Sequence, residues 1–352
     1  MVFFHTADLH LGSRMEANMP AEKARARRRE LLDTFSRIVE EAAKAGAHLL
    51  IAGDLFDCNA PSPTTVNEVS KIAEAHPEVD FLILRGNHDE GELPALLTAL
   101  PNVKTFGGGR PVCYRYGRVA VYGCEDCTVK PAAFSLSPDD CNIVMLHGEV
   151  RESATEDGID LRAWQECHCD YLALGHYHTQ KIASLDSRGT YAYSGCPAGR
   201  GFDECGEKGY IRLDENDGRI HAAFVPLPGR RMESVTVDLS GCNSPADIQQ
   251  KIDDACRTTP ADNALRLELC GDLPPDLALS AEALCGSLSR RFWFVKIKDH
   301  TTYRTAKEDL RFDISLAGTF LKEVSEGESD PDLAREIMAL GLAALSGKEL
   351  PL

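Results

Sequence analysis

Short apolar runs of strand length alternate with segments of helical periodicity along the first half of the chain. The runs occupy residues 2–7, 48–52, 81–84, 142–146 and 171–174. A long helix is predicted over residues 20–45, where apolar side chains recur on one face and Gly46 supplies the C-terminal stop, and a second over residues 64–75. Continuous apolar strands that alternate with helices predict a mainly parallel sheet covered on both faces.

Each apolar run is followed at once by polar side chains of metal-binding or proton-transfer type. They are Asp8 and His10 after the first run, Asp54 after the second, Asn87, His88 and Asp89 after the third, His147 after the fourth, and His176 and His178 after the fifth. A single His or Asp after a strand is usually a turn residue, but its repetition at successive strand ends is not explained that way. Because ligands of open α/β sheets bind outside the carboxyl ends of the strands, we expect these side chains to share one crevice.

Glycines stand directly before several of these polar groups. Gly53, Gly86 and Gly175 each occupy a position where the chain leaves a strand and needs a sharp turn or a close approach of the backbone. His176 and His178 are two residues apart, which suits a loop that presents two imidazoles to neighbouring ions. The glycines and the spacing therefore fit the same crevice.

The mixture of Asp, Asn and His donors favours hard or borderline divalent ions such as manganese, iron or zinc. The set contains no cysteine, which argues against a structural zinc site. Two such ions about 3.5 to 4 Å apart can lower the pKa of a bridging water and hold both the attacking and the leaving oxygen of an in-line phosphoryl displacement. The pattern therefore indicates metal-assisted hydrolysis of a phosphoester without a protein nucleophile.

In chain order, the motifs D-x-H, G-D-x-x-D, G-N-H-D, a single strand-end His and G-H-x-H resemble those of the calcineurin-like metallophosphoesterase superfamily over about residues 1–230. The resemblance implies an α/β fold, namely a four-layer α/β/β/α sandwich with a smaller C-terminal α/β cap domain. It also implies a centre of two divalent ions, with manganese expected and iron, zinc or magnesium as alternatives.

Matched position by position, the resemblance assigns a role to each strand-end residue. It implies that Asp8, His10 and His178 hold one ion, that Asn87, His147 and His176 hold the other, and that Asp54 bridges both. His88 matches a histidine that acts as a general acid or stabilises the transition state near the leaving oxygen. Asp89 is expected to orient His88.

Three segments resemble SbcD-type DNA-repair nucleases and especially their YhaO branch: residues 53–63, residues 193–209 and, less specifically, residues 294–299. The resemblance implies a DNA exonuclease or endonuclease in which a metal-bridged hydroxide attacks the phosphodiester. It further implies a repair complex of SbcCD or YhaO type with an SbcC-like or YhaN-like ATPase subunit, and a homodimer. Two alternatives stay open: a phosphatase or phosphodiesterase for small phosphorylated molecules, and a non-catalytic scaffold, whose distinguishing feature would be lost ligands.

Two groups of basic residues permit both a functional and a structural interpretation. Arg200 and Lys208 lie in the glycine-rich loop after His178 and are candidates for substrate binding, although a hairpin turn explains them equally well. The arginines at positions 25, 27, 28 and 29 open the first helix, where they either contact phosphate or form a solvated face.

The chain is predicted to contain three segments: a nuclease domain at residues 1–230, a small α/β cap at 231–310 and a helical segment at 311–352. Further strands at 210–213 and 220–225 are expected to complete the second sheet of the sandwich. The cap is predicted from strands at 234–239, 265–269 and 292–297 and helices at 245–256 and 280–288. A last helix at 332–345 has an apolar face that packs on the cap or docks onto the partner ATPase.

Composition narrows the class of protein. The chain has 352 residues, 43% of them hydrophobic and 26% charged, which excludes disorder and a collagen-like fibre. Its net charge of −17 excludes a generic basic coat for nucleic acids. Thirteen cysteines, an odd number in a long chain, favour reduced thiols. With no membrane-length apolar run and no basic segment before the first apolar stretch, a soluble cytoplasmic protein is expected.

Overall fold

The computed structural model describes residues 1–15, 19–89, 91–151, 158–274, 277, 279–303, 315–327 and 331–345. The chain forms two compact units, Met1–Arg231 and Met232–Leu352. The roles predicted for residues 231–310 and 311–352, a cap and a docking segment, stay predictions. Parts of both segments, including 304–314 and 346–352, lie outside the described residues.

The first unit contains fourteen strands and three α-helices among the residues described. The strands are β1 (Val2–Thr6), β2 (Ala47–Ala52), β3 (Phe81–Leu84), β4 (Val103–Thr105), β5 (Val112–Tyr116), β6 (Val119–Gly123), β7 (Cys141–His147), β8 (Glu149–Arg151), β9 (Gly158–Asp160), β10 (Tyr171–Gly175), β11 (Lys181–Ser184), β12 (Thr190–Tyr193), β13 (Gly209–Asn216) and β14 (Arg219–Pro226). The helices are α1 (Ala21–Ala45), α2 (Pro63–Ala75) and α3 (Ala95–Thr98), with 3-10 helices at Pro131–Ala133 and Leu161–Trp164. Each predicted strand and helix of this unit therefore forms, within three residues of its expected ends.

Two six-stranded sheets make the framework of this unit. Their strand orders are β14-β13-β1-β2-β3-β4 and β11-β12-β10-β7-β6-β5. The central strands of each sheet are parallel, and antiparallel strands extend the sheets at their edges. The two sheets confirm the predicted α/β class.

The expected place of the last two strands was wrong. Strands β13 and β14 join the first sheet, where β13 lies antiparallel to β1 with Val2 opposite Asp214. In the second sheet, the edge beyond β10 is formed by β12 and β11. Alternating apolar residues identify a strand, but they do not specify which edge it joins, because that depends on pairing between distant segments.

The two sheets pack face to face over an apolar core. Phe3 on β1 and Ala7 directly after it belong to this core, as do Leu50 and Ala52 on β2. The other face of the first sheet is covered by α1, whose buried side includes Phe35. The alternation of these side chains along each strand is the period-2 pattern of a sheet with two different faces.

The outer face of the second sheet has a different cover. Trp164 and Phe134 pack in an apolar cluster on that face with Val144 and Leu172. Both aromatic residues belong to or follow short 3-10 helices. In the described chain, this outer layer is therefore made of short helical turns and loops rather than of long helices.

The second unit has its own core. Its elements are β15 (Met232–Asp238), α4 (Pro245–Ala255), β16 (Ala264–Cys270), β17 (Asp272–Leu273), α5 (Ala281–Leu288), β18 (Phe294–Asp299), β19 (Thr302–Tyr303), α6 (Leu316–Gly327) and α7 (Pro331–Leu345). Strands β15, β16 and β18 form a parallel sheet, and Ser244 starts α4 with a capping box to Asp247. Leu321 and Met338 pack between α6 and α7. Among the described helices, none is both long enough and apolar enough to cross a membrane.

A buried histidine in β1 makes the stability of the first unit depend on pH. His5 is fully buried between the sheets, where its Nδ1 lies 2.8 Å from the Tyr171 hydroxyl. Burial lowers its pKa from 6.5 to about 3. The unfolded chain therefore binds a proton that the folded chain rejects, and stability falls as the pH drops from 6.5 toward 3.

We expect this histidine to remove about 2.5 kcal/mol of folding free energy between pH 7 and pH 4.5. His5→Leu should be less sensitive to acid than the wild type by that amount in urea unfolding curves. Tyr171→Phe is the matched control, because it removes the partner and keeps the titrating ring, so its acid sensitivity should equal that of the wild type. Equal acid sensitivity in the wild type and His5→Leu would contradict the assignment.

Candidate active site

The loops after the strands turn sharply at the residues that carry the chemistry. Asp8, His10, Asp54 and His176 have positive φ angles of 54°, 45°, 53° and 109°. Several backbone hydrogen bonds join the first two loops, among them those from Asp8 N to the Gly53 carbonyl and from His10 N to the Asp54 carbonyl. Such conformations cost free energy for residues other than glycine, and they concentrate at functional sites.

The crevice lies between two sheets rather than at the edge of one. Strands β1, β2 and β3 end there from the first sheet, and β7 and β10 from the second. The two sheets approach so closely that a Cβ at Gly53 would overlap the His147 ring and one at Gly175 would overlap the Ala52 carbonyl. These glycines are required by the close approach, as the sequence suggested for both positions.

One group of predicted ligands gathers at the ends of β1 and β10. The donor atoms of Asp8, His10 and His178 all lie within 4.8 Å of one another. The Nε2 atoms of the two histidines face each other at 3.2 Å. Asp8 and His10 are buried, whereas the His178 side chain is partly exposed.

The second group gathers at the ends of β3, β7 and β10. The Asn87 Oδ1 atom lies 2.9 Å from Nε2 of His147 and 3.3 Å from Nδ1 of His176. The other ring nitrogen of His147 lies 2.9 Å from the Ala52 carbonyl oxygen. Because a carbonyl only accepts, the proton of His147 belongs on Nδ1, and the lone pair on Nε2 faces Asn87.

Asp54 lies between the two groups. Its Oδ2 atom is 3.6 Å from Nε2 of His10 and 3.5 Å from Nε2 of His147, which belong to different groups. Its Oδ1 atom accepts a hydrogen bond from the backbone N–H of His88. This near-equal separation is the arrangement expected of a carboxylate shared by two ions.

The ionisation of the buried donors fits a divalent cation. Burial, opposed by His178 and reinforced by the charge of Asp54, raises the pKa of Asp8 to about 7. Burial lowers the pKa values of His10 and His147, so both rings are neutral at pH 7 and have a lone pair to offer. Two buried carboxylates beside neutral imidazoles need positive charge nearby, and a metal ion supplies it.

His88 and Asp89 diverge, which corrects the expectation that Asp89 orients His88. The Asp89 carboxylate accepts hydrogen bonds from the backbone N–H groups of Gly86 and Leu55, at 2.6 and 2.9 Å. It therefore joins the loops after β2 and β3. The carboxylate nearest the His88 ring is that of Asp57, whose Oδ1 lies 4.0 Å from Nδ1.

The basic candidates of the glycine-rich loop form contacts within the protein, and their role in substrate binding stays a prediction. The Arg200 guanidinium pairs with Glu204 and Asp57, each at 2.7 Å. Lys208 Nζ donates to the His178 carbonyl at 3.0 Å. Both side chains therefore brace the loop that carries His178.

Arginines at the start of α1 are also engaged within the protein. Arg27 is buried and donates to the Gly199 carbonyl and to Glu30. Arg29 pairs with Asp33. The structural interpretation of this basic run accounts for these contacts.

Asp57 and Glu204 are the functional candidates that sequence reasoning did not select. Asp57 is the second Asp of the G-D-x-x-D motif, and its Oδ1 lies 3.1 Å from Nδ1 of His10. Glu204 Oε1 lies 2.6 Å from Nδ1 of His178. Both were present in the quoted motifs, but only the fold shows that each carboxylate lies behind a histidine.

A cleft of about 590 Å³ opens beside the second group of ligands. Its lining includes Asn87, His147 and His176 together with Arg85 and Glu125. Arg85 forms a bidentate pair with Glu125, with both N···O distances at 2.5 Å. The cleft has the size of a small-molecule pocket, which one nucleotide unit or a small phosphoester would fill.

The sequence comparisons agree with the geometry of this crevice. The family model described as Calcineurin-like phosphoesterase matches residues 1–180, which include every predicted metal ligand. This matched part is about half of the chain.

Three curated relatives cover parts of the chain at low identity. The DNA double-strand break repair protein Mre11 of Sulfurisphaera tokodaii is 28% identical over 55% of this chain, and the match spans 53% of that protein. The uncharacterized metallophosphoesterase YhaO of Bacillus subtilis is 28% identical over 78% of this chain and 72% of its own length. An Mre11 protein of Methanopyrus kandleri is 24% identical over 70% of this chain and 61% of its own length. The chain thus spans about half the length of the Sulfurisphaera relative.

Two solved structures are similar in part. An archaeal phosphodiesterase has a TM-score of 0.38, with 64% of this chain and 100% of the other covered. A dimetal phosphatase from Danio rerio has a TM-score of 0.43, with 64% and 98% covered. Both are 11% identical to this chain, and neither likeness carries an argument about its chemistry.

Metal binding at this crevice should weaken in acid. Because Asp8 has a pKa of about 7 without the ion, binding must displace its proton below that pH. We expect the Mn²⁺ affinity to fall by about tenfold per pH unit below pH 7 for each proton displaced, as measured by calorimetry. Asp8→Asn should bind more weakly and lose this part of the pH dependence. An affinity that is constant from pH 7.5 to 5.5 in the wild type would contradict the expectation.

Proposed function

This chain belongs to the calcineurin-like phosphoesterase family, and on that premise we propose that it is a two-metal-dependent phosphodiesterase that hydrolyses DNA. The proposal includes both exonuclease and endonuclease action. It assigns one ion to Asp8, His10 and His178, the other to Asn87, His147 and His176, and a bridging role to Asp54.

The observation that carries the proposal is the position of Asp54 between two sets of donors. One of its oxygens lies about equally far from His10 and His147, at 3.6 and 3.5 Å. A scaffold that had lost its metals would be expected to have lost ligands, and every expected position is filled. The site is therefore better explained by catalysis than by a purely structural role.

The ions and His88 would have different roles in the reaction. When bound, two divalent ions lower the pKa of water and stabilise negative charge on the phosphoryl oxygens. His88 is half-exposed, and its ring packs edge-on against His10 with centroids 4.7 Å apart. Its backbone N–H is fixed by Asp54, so the ring is held beside the crevice. From there it would protonate or stabilise the leaving oxygen.

Kinship supports DNA as the substrate. Two of the relatives are named DNA double-strand break repair proteins, and the metallophosphoesterase YhaO is covered over 72% of its length. A small phosphorylated molecule is the alternative, and the cleft of about 590 Å³ beside the second ion position would admit it. Linear DNA, hairpin DNA, mononucleotides and a generic phosphodiester, each tested with Mn²⁺ and with chelator, distinguish the two. Hydrolysis of mononucleotides but not of DNA would favour the alternative. Absence of metal-dependent hydrolysis of all four substrates would favour a scaffold.

His88→Ala should lose activity and keep its metal. We expect a fall in kcat of about 10²- to 10⁴-fold, because one proton donor near the leaving oxygen is removed. Manganese content and affinity should stay at the wild-type level, because no ligand is altered.

His48→Ala is the matched control for that variant. His48 lies in β2 near its amino end, away from the strand ends that form the crevice, and it neighbours Asp80. Its loss should leave kcat unchanged. Full activity in His88→Ala would remove His88 from the mechanism.

We also propose that an SbcC-like or YhaN-like ATPase is the partner and that two copies of this chain assemble with it. A net charge of −17 gives the chain little capacity to hold DNA by general electrostatic attraction. In the second unit, α7 exposes Leu340 and Leu345, which suit docking of an apolar partner face. The proposed complex supplies the sustained DNA binding that the acidic chain lacks.

Charges on the exposed face of α7 should block this assembly. A Leu340→Glu, Leu345→Glu variant is expected to lose co-purification with an SbcC-like ATPase from the same organism, because burying a carboxylate in an apolar interface is costly. Leu96→Glu, at an exposed leucine of the first unit, is the control and should bind like the wild type. Undiminished capture by the α7 variant would exclude this helix as the docking site.

A further inference from the structure

Each histidine of the first ion position has a carboxylate oxygen close to its Nδ1 atom. Asp57 Oδ1 lies 3.1 Å from Nδ1 of His10, and Glu204 Oε1 lies 2.6 Å from Nδ1 of His178. In a neutral ring, a carboxylate beside Nδ1 favours the proton on that nitrogen and leaves the lone pair on Nε2. The two Nε2 atoms lie 3.2 Å apart.

A single guanidinium connects these two carboxylates. Arg200 donates from Nη1 to Asp57 Oδ1 at 2.7 Å and from Nη2 to Glu204 Oε1 at 2.7 Å. Its Nε and its backbone N–H donate to the two oxygens of Glu204, at 3.0 and 2.5 Å. The planar fork of arginine makes this possible, whereas a lysine ammonium would act as a point charge.

The bridge is largely removed from water. The side chains of Arg200, Asp57 and Glu204 are 18%, 26% and 2% exposed. Glu204 is thus a buried carboxylate, and its partners Arg200 and His178 supply the charge and hydrogen bonds that burial requires. Removing Arg200 would leave two carboxylates without their shared cation and free both to move.

The loop that carries this arginine is itself anchored on both sides. Arg27 of α1 donates to the carbonyl of Gly199, the residue before Arg200, at 2.8 Å. Lys208 donates to the carbonyl of His178. Neighbouring elements therefore fix the guanidinium in place, as positioning of a ligand within fractions of an ångström demands.

The second ion position is built differently. His147 is held at Nδ1 by the neutral Ala52 carbonyl. Asn87, its neighbour there, contributes an uncharged amide oxygen. The cluster of Arg200, Asp57 and Glu204 therefore acts on one position and not on the other.

We propose that Arg200 is a positioning residue that orients His10 and His178 together through Asp57 and Glu204, and that it sets the affinity of one ion position selectively. The proposal rests on the proposed two-metal function. In this proposal Arg200 does not contact the substrate but holds the carboxylates that contact the two metal-binding histidines. Its consequence is that a change at Arg200 separates the two ion affinities.

The test is titration of the full-length protein with Mn²⁺ by calorimetry, with thermal unfolding of the metal-free protein measured in parallel. For Arg200→Gln we expect one of the two dissociation constants to rise by about 10- to 100-fold and the other to stay within threefold of the wild type. Glu204→Gln keeps the length of the side chain and removes its charge, so it should shift the same constant in the same direction. It serves as the second variant if Arg200→Gln does not fold.

Arg188→Gln is the matched control. Arg188 pairs with Asp170 at 2.9 Å through the same kind of fork, at the opposite end of β10. It should lower the melting temperature and leave both Mn²⁺ constants unchanged.

The results separate this inference from the proposed function. Wild-type affinities at both positions in Arg200→Gln and Glu204→Gln would overturn the inference, and so would an equal weakening of both positions. A wild-type protein that binds no Mn²⁺ would instead overturn the two-metal function itself.

Discussion

The structure of the site depends on the close approach of two sheets at their carboxyl ends. The His147 ring, which belongs to the second sheet, donates to the Ala52 carbonyl of the first, 2.9 Å away. Space for that contact exists only because Gly53 and Gly175 lack side chains. Once the sheets meet in this way, five strands deliver their terminal side chains to one crevice, although they come from segments far apart in the chain. The apolar core between the sheets stabilises the framework, and the polar crevice occupies the end where that core stops.

Burial of charge is the consequence of this approach. Asp8 and Asp54 are almost fully buried, and the neutral imidazoles of His10 and His147 lie beside them. A protein gains nothing in stability from such a cluster, since two buried carboxylates repel each other and lose their hydration. The raised pKa of Asp8 expresses that cost. The cluster is intelligible as a site that binds cations, because an ion would neutralise the charge that folding has concentrated there.

Sequence reasoning found what is local and missed what is distant. The strands, the helices and the ligands that follow each strand could be predicted, because hydrophobic period and the residues at strand ends are encoded within a few positions. The partner of β13 could not, since its pairing with β1 joins the two ends of the first unit. The same holds for Arg200, whose contact with Asp57 spans 143 positions. Asp89 shows a further limit: this carboxylate follows the proposed catalytic histidine in sequence, but in space it accepts hydrogen bonds from the backbone of neighbouring loops.

The inward use of basic side chains explains how so acidic a chain could act on a polyanion. Arg200 is committed to Asp57 and Glu204, Lys208 to a carbonyl, and Arg85 to Glu125. Near the crevice, these described cations therefore have their charge or their hydrogen bonds taken up by the protein itself. Under the proposed function, positive charge for a phosphodiester would come mainly from the ions, so substrate binding would depend on metal binding. In such an arrangement the net charge of −17 limits general attraction to DNA and leaves attraction local to the loaded site.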